Sequence, residues 1–221
     1  MILGIYGSGG LGREVLDLAR AICSFENKWE RIVFINDFKS ANSINDSKVY
    51  TFEEFKERFT IDEAMISIAI GEPLFRQTLR ERASIEGYRL QTLIHPTAFV
   101  GYGTQIGNGA IIQFGSFISC NVIVGINALI QQNTSIGHDS VVGDDSVLSN
   151  YVSVSGACRI GNQTYIGVSV PVREKVSIDS RTIIGMGSVV IHDIPGNVVA
   201  FGNPARVMRE NISGYVFKQE E

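Results

Sequence analysis

Aliphatic residues recur every six positions through the second half of the chain. The series runs unbroken through sixteen positions, all Ile, Val or Leu: Val100, Ile106, Ile112, Ile118, Val124, Ile130, Ile136, Val142, Leu148, Val154, Ile160, Ile166, Val172, Ile178, Ile184 and Val190. Neither the 3.6-residue period of a helix nor the two-residue alternation of a strand predicts this spacing. Four positions after each aliphatic residue the side chain is small or β-branched, as at Ala110, Ser116, Ala128, Thr134, Ser140, Ser146, Cys158, Thr164, Thr182 and Ser188. Each hexad therefore predicts a short strand and a turn, with both positions pointing inward.

Glycine directly follows the aliphatic residue in half of these hexads. The eight glycines are Gly101, Gly107, Gly125, Gly137, Gly143, Gly161, Gly167 and Gly185. We expect them to supply positive φ at the corners, which glycine adopts without steric cost. Three hexads predict one triangular coil, so the series predicts about five coils, stacked at a strand spacing of about 4.8 Å around an aliphatic column.

The first part of the chain has a different pattern, in which apolar strand candidates alternate with helix candidates. Strands are predicted at 2–6, 31–36, 65–70 and 89–94, and helices near 11–22, 52–58 and 73–86. This order predicts a small parallel α/β sheet. We therefore divide the chain into an α/β domain at 1–95 and a β-helix with a C-terminal tail at 96–221.

A glycine-rich turn joins the first predicted strand to the first predicted helix. It consists of Gly7, Ser8, Gly9, Gly10, Leu11 and Gly12, which match GxGxxG in the strand-turn-helix context where a phosphate can approach the backbone. Asp37, at the end of the second predicted strand, can accept hydrogen bonds from a ribose or base. Only about 95 residues precede the β-helix, so a Rossmann-like half-fold that binds a nucleotide sugar is favoured over a full dinucleotide fold. The alternative is that the glycines only permit a tight turn.

Charge and composition exclude several classes of partner. The 221 residues carry 19 Lys+Arg and 23 Asp+Glu, a net charge of −4, and no basic run interleaved with aromatics predicts nucleic-acid binding. The N-terminus lacks a basic leader and no apolar stretch approaches the roughly 20 residues of a membrane span, so we expect a cytoplasmic protein. Cys23, Cys120 and Cys158 show no CxxC pair; we expect small buried side chains, with neither disulfides nor a metal site.

His138 is the best candidate for a general base among three histidines. His95 lies at the predicted domain junction and His192 lies beyond the last clean hexad, whereas His138 occupies an outward position near the middle of the repeat. An imidazole, with a reference pKa of about 6.5, suits proton removal near neutrality. Asp139 could orient the ring. The alternative is a solvated histidine in a turn.

The order of motifs resembles one branch of the hexapeptide-repeat acyltransferases, which acylates nucleotide-linked amino sugars or sialic acid. The motifs are YGSGGLGREV, FINDF, SIAIG, IHPTA, IGHDSVVGD, VSVSG, IGMGSVV and AFGNPARVM, and they cover nearly the whole chain. The resemblance implies left-handed coils, a homotrimer and acetyl-CoA as co-substrate. It also implies that His138 is the base, that Asp139 positions it, and that the backbone near Gly156 polarises the thioester carbonyl.

The resemblance further implies two sets of binding residues. Acetyl-CoA would lie in a groove between adjacent subunits, against Gly167, Gly185, Met186, Asn203, Pro204 and Arg206. The acceptor would bind the glycine-rich turn, Asp37 and Gly71, which ends the SIAIG segment. Some members carry a second histidine where this chain has Val147, a histidine where it has Leu11, and a Glu where it has Asp139, so contacts of those side chains do not carry over.

Four functions remain open at this point. The leading interpretation is an N-acetyltransferase that acts on the amine of a nucleotide-linked amino sugar in surface glycan biosynthesis. The runner-up is O-acetylation of a sialic acid or a related sugar, because both reactions use the same base. A non-catalytic nucleotide-sugar-binding solenoid is the third, and a nicotinamide dehydrogenase is the least favoured.

Overall fold

The computed structural model describes residues 1–39 and 41–217. Residues 218–221, the end of the predicted second domain, lie outside this description. Within the described ranges, none of the helices has both the length and the apolar character that crossing a lipid bilayer requires.

The N-terminal part forms a six-stranded sheet with three helices. The strands are β1 (Ile2–Tyr6), β2 (Arg31–Ile35), β3 (Ser43–Ile44), β4 (Ser47–Tyr50), β5 (Ala64–Ile68) and β6 (Arg89–Leu90), and the helices are α1 (Gly10–Glu26), α2 (Phe52–Arg58) and α3 (Pro73–Ile85). The strand order is β3-β4-β2-β1-β5-β6, and every pair is parallel except β3 with β4.

Local signals explain where these elements begin and end. A capping box at Thr51 and Glu54 starts α2, and Asn27, with φ of 45°, ends α1 four residues beyond the predicted end. The hairpin of β3 and β4 was not predicted, because its strands are too short and polar to show alternation. The predicted strand at 89–94 is in fact two strands. Its second half, β7 (Leu93–Ile94), pairs with the repeat instead of the N-terminal sheet.

The repeat folds into a triangular prism of dipeptide strands with three parallel sheets. Face A contains β7, β10 (Ile111–Ile112), β13 (Leu129–Ile130), β16 (Val147–Leu148), β19 (Tyr165–Ile166) and β22 (Ile183–Ile184), and the hairpin of β23 (Val198–Gly202) and β24 (Ala205–Glu210) extends it. Face B contains β8 (Phe99–Val100), β11 (Phe117–Ile118), β14 (Ser135–Ile136), β17 (Ser153–Val154) and β20 (Pro171–Val172). Face C contains β9 (Gln105–Ile106), β12 (Ile123–Val124), β15 (Val141–Val142), β18 (Arg159–Ile160) and β21 (Ser177–Ile178).

The interior of the prism is the predicted aliphatic column. Every rung from Ile112 to Val190 is at most 2% exposed, whereas Val100, in the open first coil, is 36% exposed. The small residues four positions later are also buried, and their hydroxyls bond to the backbone, as when Thr134 Oγ1 donates to the Ser149 carbonyl at 2.7 Å. This satisfies the polar atoms that the narrow core encloses.

The prediction of positive φ at the eight repeat glycines is wrong. Positive φ occurs two residues later in the corner, for example at Asp139 with φ of 59°. The glycines are needed for a different reason, which is close stacking of the coils. A Cβ on Gly137 would lie 2.5 Å from the nitrogen of Gly156 in the next coil.

The N-terminal domain covers face A. The outward residues of five face A strands pack in one apolar cluster with β1, β2 and α1: Leu93, Ile111, Leu129, Val147 and Tyr165. On face B, by contrast, Phe99 and Phe117 are 55% and 48% exposed and stack at a centroid distance of 5.0 Å. Face A is therefore an internal interface of the chain, and face B carries exposed aromatic rings.

Two arginines of α3 form hydrogen bonds and an ion pair with the corner between faces C and A. Arg76 is fully buried and donates to the carbonyl and to Oδ1 of Asn127, as well as to Ile68 and Ile70 carbonyls. Burial lowers the pKa of Arg76 to about 9, so the guanidinium remains charged at neutral pH. One turn on, Arg80 makes a bidentate pair with buried Asp145, through Nε at 2.9 Å and Nη2 at 2.8 Å.

Candidate active site

His138 lies at the corner between faces B and C, two residues after β14. Residues one coil apart stack at each corner, with an offset of 18 residues, so His138 lies between Cys120 and Gly156. Its side chain is 62% exposed, as a group that must meet two substrates requires.

Asp139 holds the Nδ1 edge of the imidazole. Its Oδ2 lies 2.7 Å from His138 Nδ1, and its Oδ1 accepts a hydrogen bond from Asn121 Nδ2 at 3.2 Å. The bond with His138, and then that with Asn121, lowers the pKa of Asp139, so the carboxylate is ionised throughout the neutral range. The shorter side chain of Asp139 therefore reaches the ring, and the contact leaves His138 Nε2 facing away from it. Asn121 was not predicted, although its position one coil before Asp139 was a signal available in the repeat.

Gly156 lies beneath the imidazole. A Cβ at this position would be 2.6 Å from His138 Nε2, so only glycine leaves enough space for the imidazole in its observed position. The N–H of Gly156 donates to no acceptor among the described residues, whereas the N–H groups before and after it bond to Val172 and His138 carbonyls. A free N–H beside a candidate base is the kind of donor that stabilises an oxyanion.

The glycine-rich turn combines two structural glycines with two open ones. Gly7 has φ of 116°, and a Cβ on Gly12 would lie 2.1 Å from the Gly7 carbonyl, so the fold itself requires both. A Cβ on Gly9 or Gly10 would meet nothing within 4 Å, and no side chain caps the start of α1. Ser8 Oγ accepts a hydrogen bond from Asn36 Nδ2 at 2.8 Å. The turn thus exposes backbone N–H groups at a helix N-terminus, where anions bind favourably.

Asp37 takes part in an internal network. Oδ1 accepts from the Phe52 N–H at 2.9 Å, and Oδ2 accepts from Tyr6 Oη at 2.7 Å and from Arg82. Burial raises the pKa of Asp37, but the hydrogen bonds from Phe52, Tyr6 and Arg82 outweigh this effect and lower it. Its predicted contact with a ribose stays a prediction, and such a contact would have to share the carboxylate with this network.

The residues predicted to bind acetyl-CoA lie at the C-terminal end of the prism, apart from Gly156. Gly167, Gly185 and Met186 lie at the corner between faces A and B, and Asn203, Pro204 and Arg206 lie in the hairpin of β23 and β24. Met186 is 76% exposed and Arg206 is also exposed. An apolar side chain and a cation at the surface suit the pantetheine arm and the phosphates of coenzyme A. The fold also requires glycine at position 167, since a Cβ there would lie 2.6 Å from the Met186 nitrogen.

The structure does not bring all the predicted residues together within one chain. His138, Asp139 and Gly156 share the corner between faces B and C, whereas the glycine-rich turn and Gly71 belong to the domain on face A. In a triangular prism that corner lies opposite face A. One chain therefore presents a candidate base and a candidate acceptor turn on different sides.

The other two histidines lie away from the corner that carries His138, and the cysteines differ in exposure. His95 Nδ1 accepts from the Thr97 N–H at 3.1 Å, and burial lowers the pKa of His95. His192 is exposed beyond the last rung. The prediction that all three cysteines are buried holds for Cys158, but Cys23 is only half-buried. It is wrong for Cys120, which is exposed because it occupies the outward corner position one coil before His138.

Comparisons with known proteins show which class the chain resembles. It is similar to the hexapeptide-repeat sugar acetyltransferases, and it has their Rossmann-like N-terminal domain followed by a left-handed parallel β-helix. Both the predicted fold class and the predicted resemblance are thus confirmed. The family model of the PglD N-terminal domain matches residues 3–83 of this chain.

Two solved structures are similar over almost the whole chain. One is the acetyltransferase domain of PglB from Neisseria gonorrhoeae, 27% identical, with a TM-score of 0.88, covering 94% of this chain and 99% of that one. The other is a His-to-Asn mutant of perosamine N-acetyltransferase from Caulobacter crescentus in complex with CoA and GDP-perosamine. It is 26% identical, with a TM-score of 0.86, covering 95% of this chain and 98% of that one.

A curated relative matches a shorter segment. Galactoside O-acetyltransferase from Escherichia coli is 51% identical over 51 residues, 23% of this chain. The chain spans about a quarter of the length of the curated relatives that it matches.

Proposed function

We propose that the protein is an acetyl-CoA-dependent N-acetyltransferase that acetylates the free amine of a nucleotide-linked amino sugar in surface glycan biosynthesis. The observation that carries this proposal is the exposed imidazole of His138, which is fixed by Asp139 and lies next to Gly156, whose N–H has no acceptor among the described residues. The similarity to a perosamine N-acetyltransferase bound to CoA and GDP-perosamine supports the choice of substrates. Acetyl-CoA is a cytoplasmic metabolite, so we place the reaction in the cytoplasm.

The residues at this corner can perform each step that acyl transfer needs. Acetyl-CoA supplies an acetyl group activated as a thioester. His138 Nε2 accepts the proton that the amine loses as its nitrogen bonds to the carbonyl carbon, and Asp139 stabilises the imidazolium. The Gly156 N–H can donate to the carbonyl oxygen as charge develops on it. The protonated His138 then returns the proton to the sulfur as the carbon–sulfur bond breaks.

We propose that the active molecule is a homotrimer. The acceptor turn and His138 of one chain lie on different sides of the prism, so a site that contains both needs a second copy. The same holds for Met186, at the corner between faces A and B, and for Arg206, in the hairpin that extends face A. Exposed Phe99 and Phe117 on face B offer an apolar surface for that contact, and closed cyclic symmetry would give each copy one complete site. Light scattering should give three times the mass of the chain, and a monomer at micromolar concentration would contradict the trimer.

A substrate panel tests the reaction directly. The protein is incubated with acetyl-CoA and GDP-perosamine, UDP-linked amino sugars or sialic acid, and the free thiol released is measured, with NMR used to locate the new acetyl group. We expect thiol release with an amino sugar nucleotide and an N-acetyl product. Acetylation of sialic acid alone would favour O-acetylation, and binding without thiol release would favour a non-catalytic solenoid.

A further inference from the structure

The C-terminal segment returns from the end of the β-helix to the N-terminal domain. After β24, the backbone N–H of Asn211 donates to the Asn197 carbonyl and its Nδ2 donates to the Arg181 carbonyl, both at 2.8 Å. The Asn211 side chain also accepts from the Gly214 N–H at 3.1 Å, which turns the chain. These bonds direct the segment along the last coils toward α3.

A buried carboxylate receives the end of this segment. Glu72, 4% exposed at the start of α3, accepts hydrogen bonds from the Val216 N–H at 3.0 Å and from the Phe217 N–H at 3.1 Å. Burial raises the pKa of Glu72, and the two N–H groups oppose that rise. Tyr215 packs on Phe75 with ring centroids 5.5 Å apart. The backbone at Phe217 is therefore held at a fixed place on the N-terminal domain.

The ring of Phe217 lies beside the candidate acceptor turn and is 52% exposed. A Cβ on Gly71 would lie 3.9 Å from Phe217 Cε2 and 3.9 Å from Leu11 Cδ2, so these three residues adjoin one another. Tyr165 supports the ring edge-on, at a centroid distance of 5.7 Å. An aromatic ring held by buried polar bonds yet half exposed presents a rigid apolar surface next to the start of α1.

The strand order indicates which part of an acceptor meets this surface. Asp37 follows β2 on one side of β1, the glycine-rich turn follows β1, and Gly71 follows β5 on the other side. If the base and ribose lie on the β2 side and the diphosphate at the start of α1, the sugar lies on the β5 side. That is also the side nearest Tyr165 and the β-helix.

We propose that Phe217 is a specificity-determining residue on which the pyranose ring of the acceptor packs, and that Glu72 is the positioning residue that holds it there. The inference rests on the proposed function, because it assigns the sugar of that same substrate to one side of the glycine-rich turn. It adds a site residue from the C-terminal tail, outside the motifs of the repeat and of the α/β domain.

Calorimetry on the full chain distinguishes the contribution of the sugar to binding from that of the nucleotide. Binding of GDP-perosamine, UDP-linked amino sugars, GDP and UDP is measured for wild type, Phe217→Ala, Phe217→Trp and Glu72→Gln. Ile212→Ala, in the same segment and 83% exposed, is the matched control. We expect Phe217→Ala to weaken binding of the nucleotide sugar by about 2- to 13-fold, the range for an aromatic contact, while GDP or UDP alone binds as in wild type. Phe217→Trp should retain the sugar nucleotide, and Glu72→Gln should weaken it less than Phe217→Ala.

Two different results would overturn the inference. Wild-type binding of the sugar nucleotide by Phe217→Ala, or an equal loss for the bare nucleotide, would remove Phe217 from the sugar site while leaving the proposed function intact. If wild-type protein neither binds nor acetylates any member of the panel, the proposed function fails and this inference fails with it. Thermal unfolding of each variant excludes loss of the fold.

Discussion

At the scale of single residues, the candidate chemistry depends on four residues at one corner of the β-helix. Asp139 orients His138, Asn121 holds the other oxygen of Asp139, and Gly156 leaves space for the ring and offers a free N–H. Each of these roles follows from a different physical property, namely charge, hydrogen-bond geometry and the lack of a side chain. They can therefore be separated by substitution.

Gly156→Ala should lower kcat because the new methyl group would lie 2.6 Å from His138 Nε2 and displace the imidazole. The backbone of Gly156 is not in the positive-φ region, so the coil itself should tolerate alanine. We expect kcat to fall toward that of a variant without the base, with the thermal midpoint nearly unchanged. Turnover equal to wild type would show that the ring position does not matter.

Asp139→Asn should lower kcat less than removal of the base, which typically costs roughly 10²–10⁴-fold. The variant keeps a polar group near Nδ1 but loses the charge that stabilises the imidazolium formed during the reaction, so kcat at neutral pH should lie between that of wild type and that of the variant without the base. Because the pKa of Asp139 is lowered, the pH–rate profile of wild type should show no step from this carboxylate near neutral pH. Asp62→Asn, at an exposed turn, is the control, and a wild-type kcat in Asp139→Asn would contradict the orienting role.

At the scale of elements, the seam between α3 and the corner of faces C and A fixes the N-terminal domain on the β-helix. Arg76 contacts Asn127 and Arg80 contacts Asp145, residues one coil apart that bracket the coil carrying His138. Arg76, Asn127 and Asp145 are buried, whereas Arg80 is partly exposed, so the seam combines a buried polar network with the apolar contacts of face A.

Arg80→Ala should destabilise the protein by about 3 kcal/mol, since it leaves the buried carboxylate of Asp145 with Asn127 as its main partner. Arg20→Ala is a matched control, because Arg20 also lies on a helix but makes only exposed contacts, an ion pair with Asp17 and a hydrogen bond to the Asn45 carbonyl. Exposed ion pairs contribute about 0–1 kcal/mol. Chemical denaturation measures both. Equal losses in the two variants would mean that the seam adds no more than a surface ion pair.

The elements of the repeat could be predicted far better from the sequence than the contacts between domains. A spacing of six fixes the rungs and the buried small residues, because a narrow core admits only such side chains. The role of the repeat glycines could not be predicted, because it depends on the distance between stacked coils, which the sequence of one coil does not reveal.

The contacts between the domains depend on tertiary packing. This applies to the split of the predicted strand at 89–94 and to the burial of Leu129 and Val147 under the N-terminal domain. His138 and Asp139 stood out by chemistry, whereas Asn121 and Phe217 are recognisable only by what lies next to them in space.

At the scale of the whole molecule, His138 and the candidate acceptor turn lie on different sides of one chain, so the proposed site requires assembly of several copies. Co-expression of two inactive variants tests this with differently tagged chains. His138→Ala lacks the base, and Gly10→Glu places a carboxylate in the open space where the acceptor diphosphate would bind. Mixed trimers selected with both tags should recover about one third of wild-type activity per trimer, because one site in three then combines an intact base with an intact turn.

If both halves of the site came from one chain, the mixed trimers would be no more active than the two variants alone. Mass spectrometry of the purified mixture establishes that both chains are present. Recovery of activity would show that neighbouring copies share each site.

The most direct test of the account is kcat of His138→Ala with acetyl-CoA and the amino sugar nucleotide that the wild type uses. We predict a fall of roughly 10²–10⁴-fold, with affinities for both substrates little changed, because the exposed imidazole removes the amine proton and contributes little to binding. His192→Ala, which removes another exposed histidine, should retain wild-type turnover. Near-wild-type kcat in His138→Ala would contradict the assignment of the base, and with it the proposed site.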